Sequence, residues 1–329
     1  MSRPRVSVLL PVRDEEPYLA ECLESLSAQT LADFEVVAVD DGSADATPGI
    51  LAAHARADSR FRVLRQEPAG MVAASERARA EAGAPLIARM DADDVALPER
   101  LELQVAAIEE EDLAAVGGQV EYFPEPTDGM RAYAGWLNSL VTVEAALRDL
   151  WVECPLPGPG LMARAEFVSY RDRGWPEDYD LVLRIREAGG RSRNVDRLVH
   201  RWRDHPERLT RTQPAYTLDS FRRCKVHFLR RTLLADGRAA VVWGAGPTGK
   251  AFARELVTSG TPLAAFVEVD PRKLGKRIHG APVVPVERAA DFPGALALGA
   301  VSGPEGRARV RELAARLGFT EGHDFVAVA

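Results

Sequence analysis

The sequence is poor in cysteine: Cys22, Cys154 and Cys224 stand far apart in 329 residues, with no CxxC pair and only six histidines. That spacing excludes a disulfide framework and a thiolate zinc site, and leaves reduced structural thiols. Long apolar runs are also missing, none approaching the roughly 18 residues of a membrane-spanning helix. The apolar opening, Val6 to Val12, is too short for a signal peptide core and lacks a small-residue cleavage site after it. A cytoplasmic protein is expected. Nor is there an excess of basic charge, since 42 basic against 49 acidic side chains give a net charge of -7, which argues against a nucleic-acid partner.

What is present is ordinary for a globular chain, with 46% apolar and 28% charged residues, and the length suits two domains. From residue 236 onward there are 12 basic and 10 acidic side chains, so the acidic excess lies in the first 235. A metal held by carboxylates fits that half.

The apolar run RVSVLLPV predicts a buried parallel strand, and Asp14 to Pro17 then supplies helix-start signals for a helix to about Ala28. FEVVAVDDGS predicts a second strand, with Thr47 as helix cap and Pro48 behind it. The alternation continues through RFRVLRQ, a helix from about Met71 to Ala82, and the strand APLIARMDADD. Strands alternating with helices imply a parallel sheet, whose ligands bind beyond the carboxyl ends of the strands. Asp40, Asp41, Asp91, Asp93 and Asp94 are therefore expected around one crevice. Residues 121 to 160, broken by proline and glycine, predict loops and one helix; residues 177 to 188 regain helical spacing, and 214 to 235 form a basic helix expected to link two domains.

Asp91 and Asp93 after a strand offer hard oxygen ligands at a spacing suited to Mn²⁺ or Mg²⁺ on a diphosphate. Taken with VSVLLPVRDEE, VVAVDDGSADAT, LIARMDADDVALPERL, GWPEDYDLVLRI and HRWRDHPERLT, the sequence resembles the family-2 nucleotide-sugar glycosyltransferases over roughly residues 5 to 212. The resemblance implies a GT-A fold in which Asp40 or Asp41 contacts base or ribose near Pro11. It further implies Asp93 as metal ligand, Asp91 on ribose or metal, and Asp94 supporting the loop. Glu177 and Asp178 fall at a helix start, where the dipole favours a carboxylate. The family places its catalytic base there, and Asp178 is assigned the role. His205 is a candidate metal or phosphate contact, and Arg201 and Arg203 are candidate phosphate ligands. Two positions depart from the family pattern: Glu76 stands where asparagine is usual, and Ser75 where arginine is common.

A second α/β domain is expected from 236 to 329. Gly244, Gly246 and Gly249 form a GxGxxG between a strand and a helix, with Glu268 and Asp270 closing the next strand, where a ribose-binding acid belongs. The stretch resembles small Rossmann-like domains of sugar-modifying proteins, with NAD or another nucleotide as its candidate ligand. Ala251 excludes a phosphate-binding P-loop, and no Tyr-x-x-x-Lys pair supports sugar redox chemistry.

The expected protein is thus an inverting glycosyltransferase of residues 1–235 followed by a Rossmann-like domain of residues 236–329. It would use a UDP-, GDP- or dTDP-linked hexose donor and a glycan or lipid-linked acceptor in polysaccharide biosynthesis. Its basic helix is the candidate for peripheral contact with the inner membrane face. The alternatives are a noncatalytic nucleotide-sugar binder and a scaffold whose second domain binds a nucleotide.

Overall fold

A computed structural model describes residues 3–329 and divides them into two compact units. The first comprises the chain up to Ala146, Pro155–Arg173 and Glu177–Thr212; the second comprises Leu147–Cys154, Gly174–Pro176 and Gln213–Ala329. The second unit thus begins at Gln213 rather than at residue 236, and it takes in two short segments from the middle of the chain.

The first unit opens with β1 (Val6–Val12), α1 (Leu19–Ser27), β2 (Phe34–Asp40), α2 (Thr47–Ala57), β3 (Phe61–Arg65), α3 (Met71–Glu81) and β4 (Leu86–Arg89). β1 is buried along its whole length and lies between β2 and β4, both parallel to it, which is why its pattern is continuous rather than alternating. Register pairs Val12 with Asp40 and Leu9 with Arg89, so the acidic segments after β2 and β4 leave from the same edge of the sheet. Thr47 is not the cap of α2. It is the first helical residue, and its hydroxyl accepts from the Glu15 amide at 2.9 Å, pinning the β1–α1 loop.

The sheet continues through β5 (Val95–Ala96), α4 (Arg100–Glu111), β6 (Ala115–Phe123), α5 (Asp128–Asn138), α6 (Val143–Asp149), β7 (Met162–Arg164), α7 (Glu177–Glu187), β8 (Ser192–Arg203) and the short α8 (Leu209–Thr212). Its eight strands run in the order β3-β2-β1-β4-β7-β6-β8-β5, with β7 and β5 antiparallel to their neighbours. Where loops were expected after residue 121, β6 reaches Phe123 and pairs with the twelve-residue β8. Gly117 and Gly118 in β6 mark close packing: a Cβ would lie 2.2 Å from Asn194 Oδ1 at the first and 2.2 Å from Val199 Cγ2 at the second.

The second unit contains α9 (Leu218–Arg231), β9 (Ala240–Trp243), α10 (Pro247–Thr258), β10 (Leu263–Glu268), β11 (Arg277–Ile278), β12 (Ala281–Pro285), β13 (Leu296–Gly299), α11 (Pro304–Arg316) and β14 (Phe325–Ala327). Strand order is β11-β12-β10-β9-β13-β14, parallel except for β11, with the order reversing between β9 and β13. Helix α9 falls within the second unit. It buries Arg222 and Lys225 with Cys224, Val226, Phe228 and Leu229, and Lys225 Nζ donates to the carbonyls of Val152 and Val328. Among the described residues no helix is long and apolar enough to cross a membrane.

Candidate functional site

The β2 end separates the two aspartates of the DDGS segment. Asp41 is consumed by its own loop: its carboxylate accepts from Gln66 Nε2 at 2.7 Å and from the amides of Ala69 and Gly70 at 2.8 Å each. Those contacts hold the chain that leads into α3. Asp40 Oδ1 accepts from the Ser43 amide, whereas its buried Oδ2 has no hydrogen-bond partner and only the exposed Arg65 guanidinium 3.3 Å away. A buried carboxylate oxygen in that state costs free energy unless something donates to it. Pro11 lies beside it, buried and paired with Val39 across the β1–β2 ladder.

At the β4 end Asp91, Asp93 and Asp94 each bring a carboxylate oxygen within 4.8 Å of the others. Asp94 is the deepest. Its Oδ2 accepts from His200 Nε2 at 2.8 Å and its Oδ1 from the Arg203 amide at 2.8 Å, so both oxygens are engaged. His200 Nδ1 lies 3.3 Å from Arg100 Nη1, which can only donate; the ring proton must therefore sit on Nε2 and point to Asp94. Asp93 Oδ2 meets His205 Nε2 at 2.9 Å, and Asp91 Oδ1 accepts from Arg89 Nε at 3.1 Å. Asp91 and Asp93 each keep a second oxygen for a ligand. Hard oxygens in this number and proximity fit Mg²⁺ or Mn²⁺, with His205 at the rim and Asp94 as support.

Electrostatics agree with that fit. Burial and the neighbouring Asp94 push Asp93 up, and burial and Asp91 push Asp94 well above the carboxylate range. Glu15, in the β1–α1 loop, is pushed up to about 8 by burial and then by Asp93, Asp91 and Asp94. Crowded carboxylates of this kind are relieved by a cation.

Arg100 is the buried countercharge below. It stands in the first turn of α4, collects the carbonyls of Arg89 and Pro159, and is pushed down to about 10 by burial. Burial, with Arg100 beside it, also pushes His200 down to about 3. Because the unfolded imidazole titrates near 6.5, the neutral ring contributes stability that is complete above that value and is lost as pH falls toward 3. Replacing His200 with Gln, which keeps a donor for Asp94, is expected to flatten this acid limb. Denaturation midpoints of both proteins between about pH 7 and pH 4 check it, and identical limbs would remove His200 as the source.

Helix α7 carries three acids in its first turn. Glu177 is buried and accepts from Arg89 Nη1 at 2.5 Å, and Asp180 is buried between Arg171 and Arg184, each 2.8 Å away. Asp178 is half-buried and lies against Gly158, where a Cβ would sit 2.5 Å from its Oδ2. Arg201 and Arg203, read from sequence as phosphate ligands, are otherwise occupied. Arg201 pairs with Glu121 at 2.8 Å, and Arg203 binds Glu21 and, at 2.7 Å, the Asp93 carbonyl. Arg89, Arg100, His200 and the positioning role of Arg203 were not anticipated from sequence.

In the second unit, the turn after β9 needs its glycines. Gly244 has φ 103°, and a Cβ on Gly249 would lie 1.8 Å from the Gly244 carbonyl, whereas Gly246 faces open space. Glu268 reaches back to the Ala245 amide at 2.9 Å and to Lys273 at 2.8 Å. Asp270, the candidate ribose acid, pairs with the exposed Arg272.

Comparison with known proteins places residues 7–168 on the model of Glycosyl transferase family 2. The putative glycosyltransferase EpsE of Bacillus subtilis is 29% identical over 240 residues, covering 67% of this chain and 80% of EpsE. The putative glycosyltransferase EpsH of the same organism is 38% identical over 123 residues, and the chain spans 36% of its length. Among solved structures, S. aureus TarS 1-349 in complex with UDP-GlcNAc matches with TM-score 0.55 and 18% identity, over 69% of this chain and 66% of that one. The mannosyltransferase PcManGT from Pyrobaculum calidifontis, in complex with GDP-Man and Mn²⁺, matches with TM-score 0.51 and 20% identity, over 79% and 72%. At these identities the structural likeness is one of fold.

Proposed function

The chain belongs, through residues 7–168, to glycosyl transferase family 2 on a GT-A fold, and on that premise we propose that it transfers a sugar from a nucleotide donor to an acceptor hydroxyl with inversion at the anomeric carbon. The observation that carries this reading is the pair Asp91 and Asp93, each with an oxygen to spare, at the same sheet edge as the orphaned Asp40 oxygen.

Asp40 is the nucleotide contact in this reading, because Asp41 spends its oxygens on Gln66, Ala69 and Gly70. The orphaned oxygen would accept the imide or lactam N–H of uracil, thymine or guanine, which supplies the missing donor. Asp91, Asp93 and His205 would hold Mn²⁺ or Mg²⁺ against the diphosphate. When bound there, the cation supplies Lewis-acid stabilisation of the leaving nucleoside diphosphate. Asp178 takes the acceptor proton as its oxygen attacks, with Glu177 held by Arg89 and therefore excluded as the base. The acceptor in this reading is a glycan or lipid-linked hydroxyl. The Glu268 contact to Ala245 supports a structural use of the second unit over a second nucleotide site.

Calorimetric titration with UDP, GDP, dTDP and CDP, each with and without Mn²⁺, tests the reading. Metal-dependent binding of one of the first three is expected, with CDP weakest, since cytosine N3 presents a lone pair to Asp40. Absence of binding by all four would sink it.

A further inference from the structure

Arg89 joins features that otherwise stand apart. Its side chain is 5% exposed, and its guanidinium meets Asp91 Oδ1 at 3.1 Å on one side and Glu177 Oε1 at 2.5 Å on the other. Asp91 follows β4 and Glu177 opens α7, so one planar fork fixes the metal-binding loop and the helix that carries Asp178 against each other.

Two residues of α3 reach this group through an intermediate side chain. Ser75 Oγ lies 3.6 Å from Met71 Sδ, which lies 3.4 Å from Arg89 Nη2, so a small residue on α3 adjoins a cation supplied from β4. Glu76 accepts from the Tyr170 amide and pairs with Arg79 at 3.0 Å, and the Tyr170 ring faces the Arg89 guanidinium at 5.7 Å. A larger side chain at position 75 would enter the space around Met71, and a shorter one at 76 would release Tyr170.

Resting on the transferase reading of this site, we propose that Arg89 is its positioning residue, setting the distance between the donor-phosphate end at Asp91 and the base end at Asp178. Arg89 touches neither reacting atom; it acts through Asp91 and Glu177.

The test compares Arg89→Met with the paired Arg89→Met/Glu177→Met and with Arg89→Lys. The single Met variant leaves Glu177 buried without its cation and is expected to melt lower, whereas the paired variant, which buries no charge, is expected to melt near wild type. A positioning role predicts that the paired variant keeps its donor KM within about threefold yet loses on the order of 10²-fold in kcat. Arg89→Lys, which keeps the charge without the fork, is expected to lose kcat as well. Wild-type kcat in the paired variant, or in Arg89→Lys should the pair fail to fold, would reduce Arg89 to a stability element and overturn the proposal. Failure of the wild type to bind any nucleotide with Mn²⁺ would overturn the transferase reading and this proposal with it, an outcome distinct from loss of the kcat effect alone.

Discussion

Substituting Asp178 with Asn is expected to lower sugar transfer by about 10²- to 10⁴-fold while leaving metal-dependent nucleotide affinity nearly unchanged. The amide preserves shape beside Gly158, where space is tight, but cannot accept a proton. Glu177 and Asp180 cannot take over, because each is buried in an ion pair with arginine. Calorimetry for binding and product formation for turnover separate the two quantities. A fall in both together would move Asp178 from the reacting centre to donor binding, and full turnover in the variant would end its assignment as base.

The second large effect is expected at Asp93. Asp93→Ala should weaken Mn²⁺-dependent nucleotide binding by at least about 10²-fold, since loss of a residue that merely supports a metal ligand already costs roughly 10- to 100-fold. The wild-type site should also bind the metal more tightly as pH rises. Burial and Asp94 hold Asp93 up, burial and Asp91 hold Asp94 up, and Glu15 is pushed up to about 8, so a cation entering the site competes with protons. A cation favours the deprotonated forms, so affinity climbs until the most basic of them has titrated, and binding below that point releases protons. Titrations in two buffers of different ionisation enthalpy measure that release. Proton uptake, or affinity that falls with pH, would contradict the assignment.

The parallel core was legible because β1, β2 and β4 are buried almost throughout and therefore read as near-continuous apolar runs, with aspartates at or just beyond the ends of β2 and β4. The roles of Asp40 and Asp41 were not separable from sequence: what divides them is which one the backbone amides of Ala69 and Gly70 reach, a tertiary fact. β6 and β8 were obscured for a different reason. Proline and glycine from residue 121 onward masked the end of β6, and within that strand Gly117 and Gly118 leave the room that Asn194 and Val199 occupy. Arg100 left a trace that could have been followed. A cation in the first turn of α4 opposes the helix dipole, and a broken local rule of this kind points to a compensating contact, here the Arg89 and Pro159 carbonyls and His200. Arg89 left no such trace, since an arginine in a strand before two aspartates reads equally well as an exposed countercharge.

The path of the chain bears on how this protein could have been assembled or could be taken apart. Leu147–Cys154 and Gly174–Pro176 belong to the second unit although the first unit's residues flank both. Leu150, Trp151, Val152 and Cys154 are buried, the Val152 carbonyl receives Lys225, Arg311 holds Asp149 at 2.6 Å, and Arg223 donates to the Gly174 carbonyl. A fragment ending at Thr212 would therefore carry these segments without the residues that bind them, and one beginning at Gln213 would lack pieces of its own interior. The gene offers no single cut that yields two complete modules, so exchange of the carboxyl-terminal half between relatives would have to be accompanied by matching changes at 147–154 and 174–176.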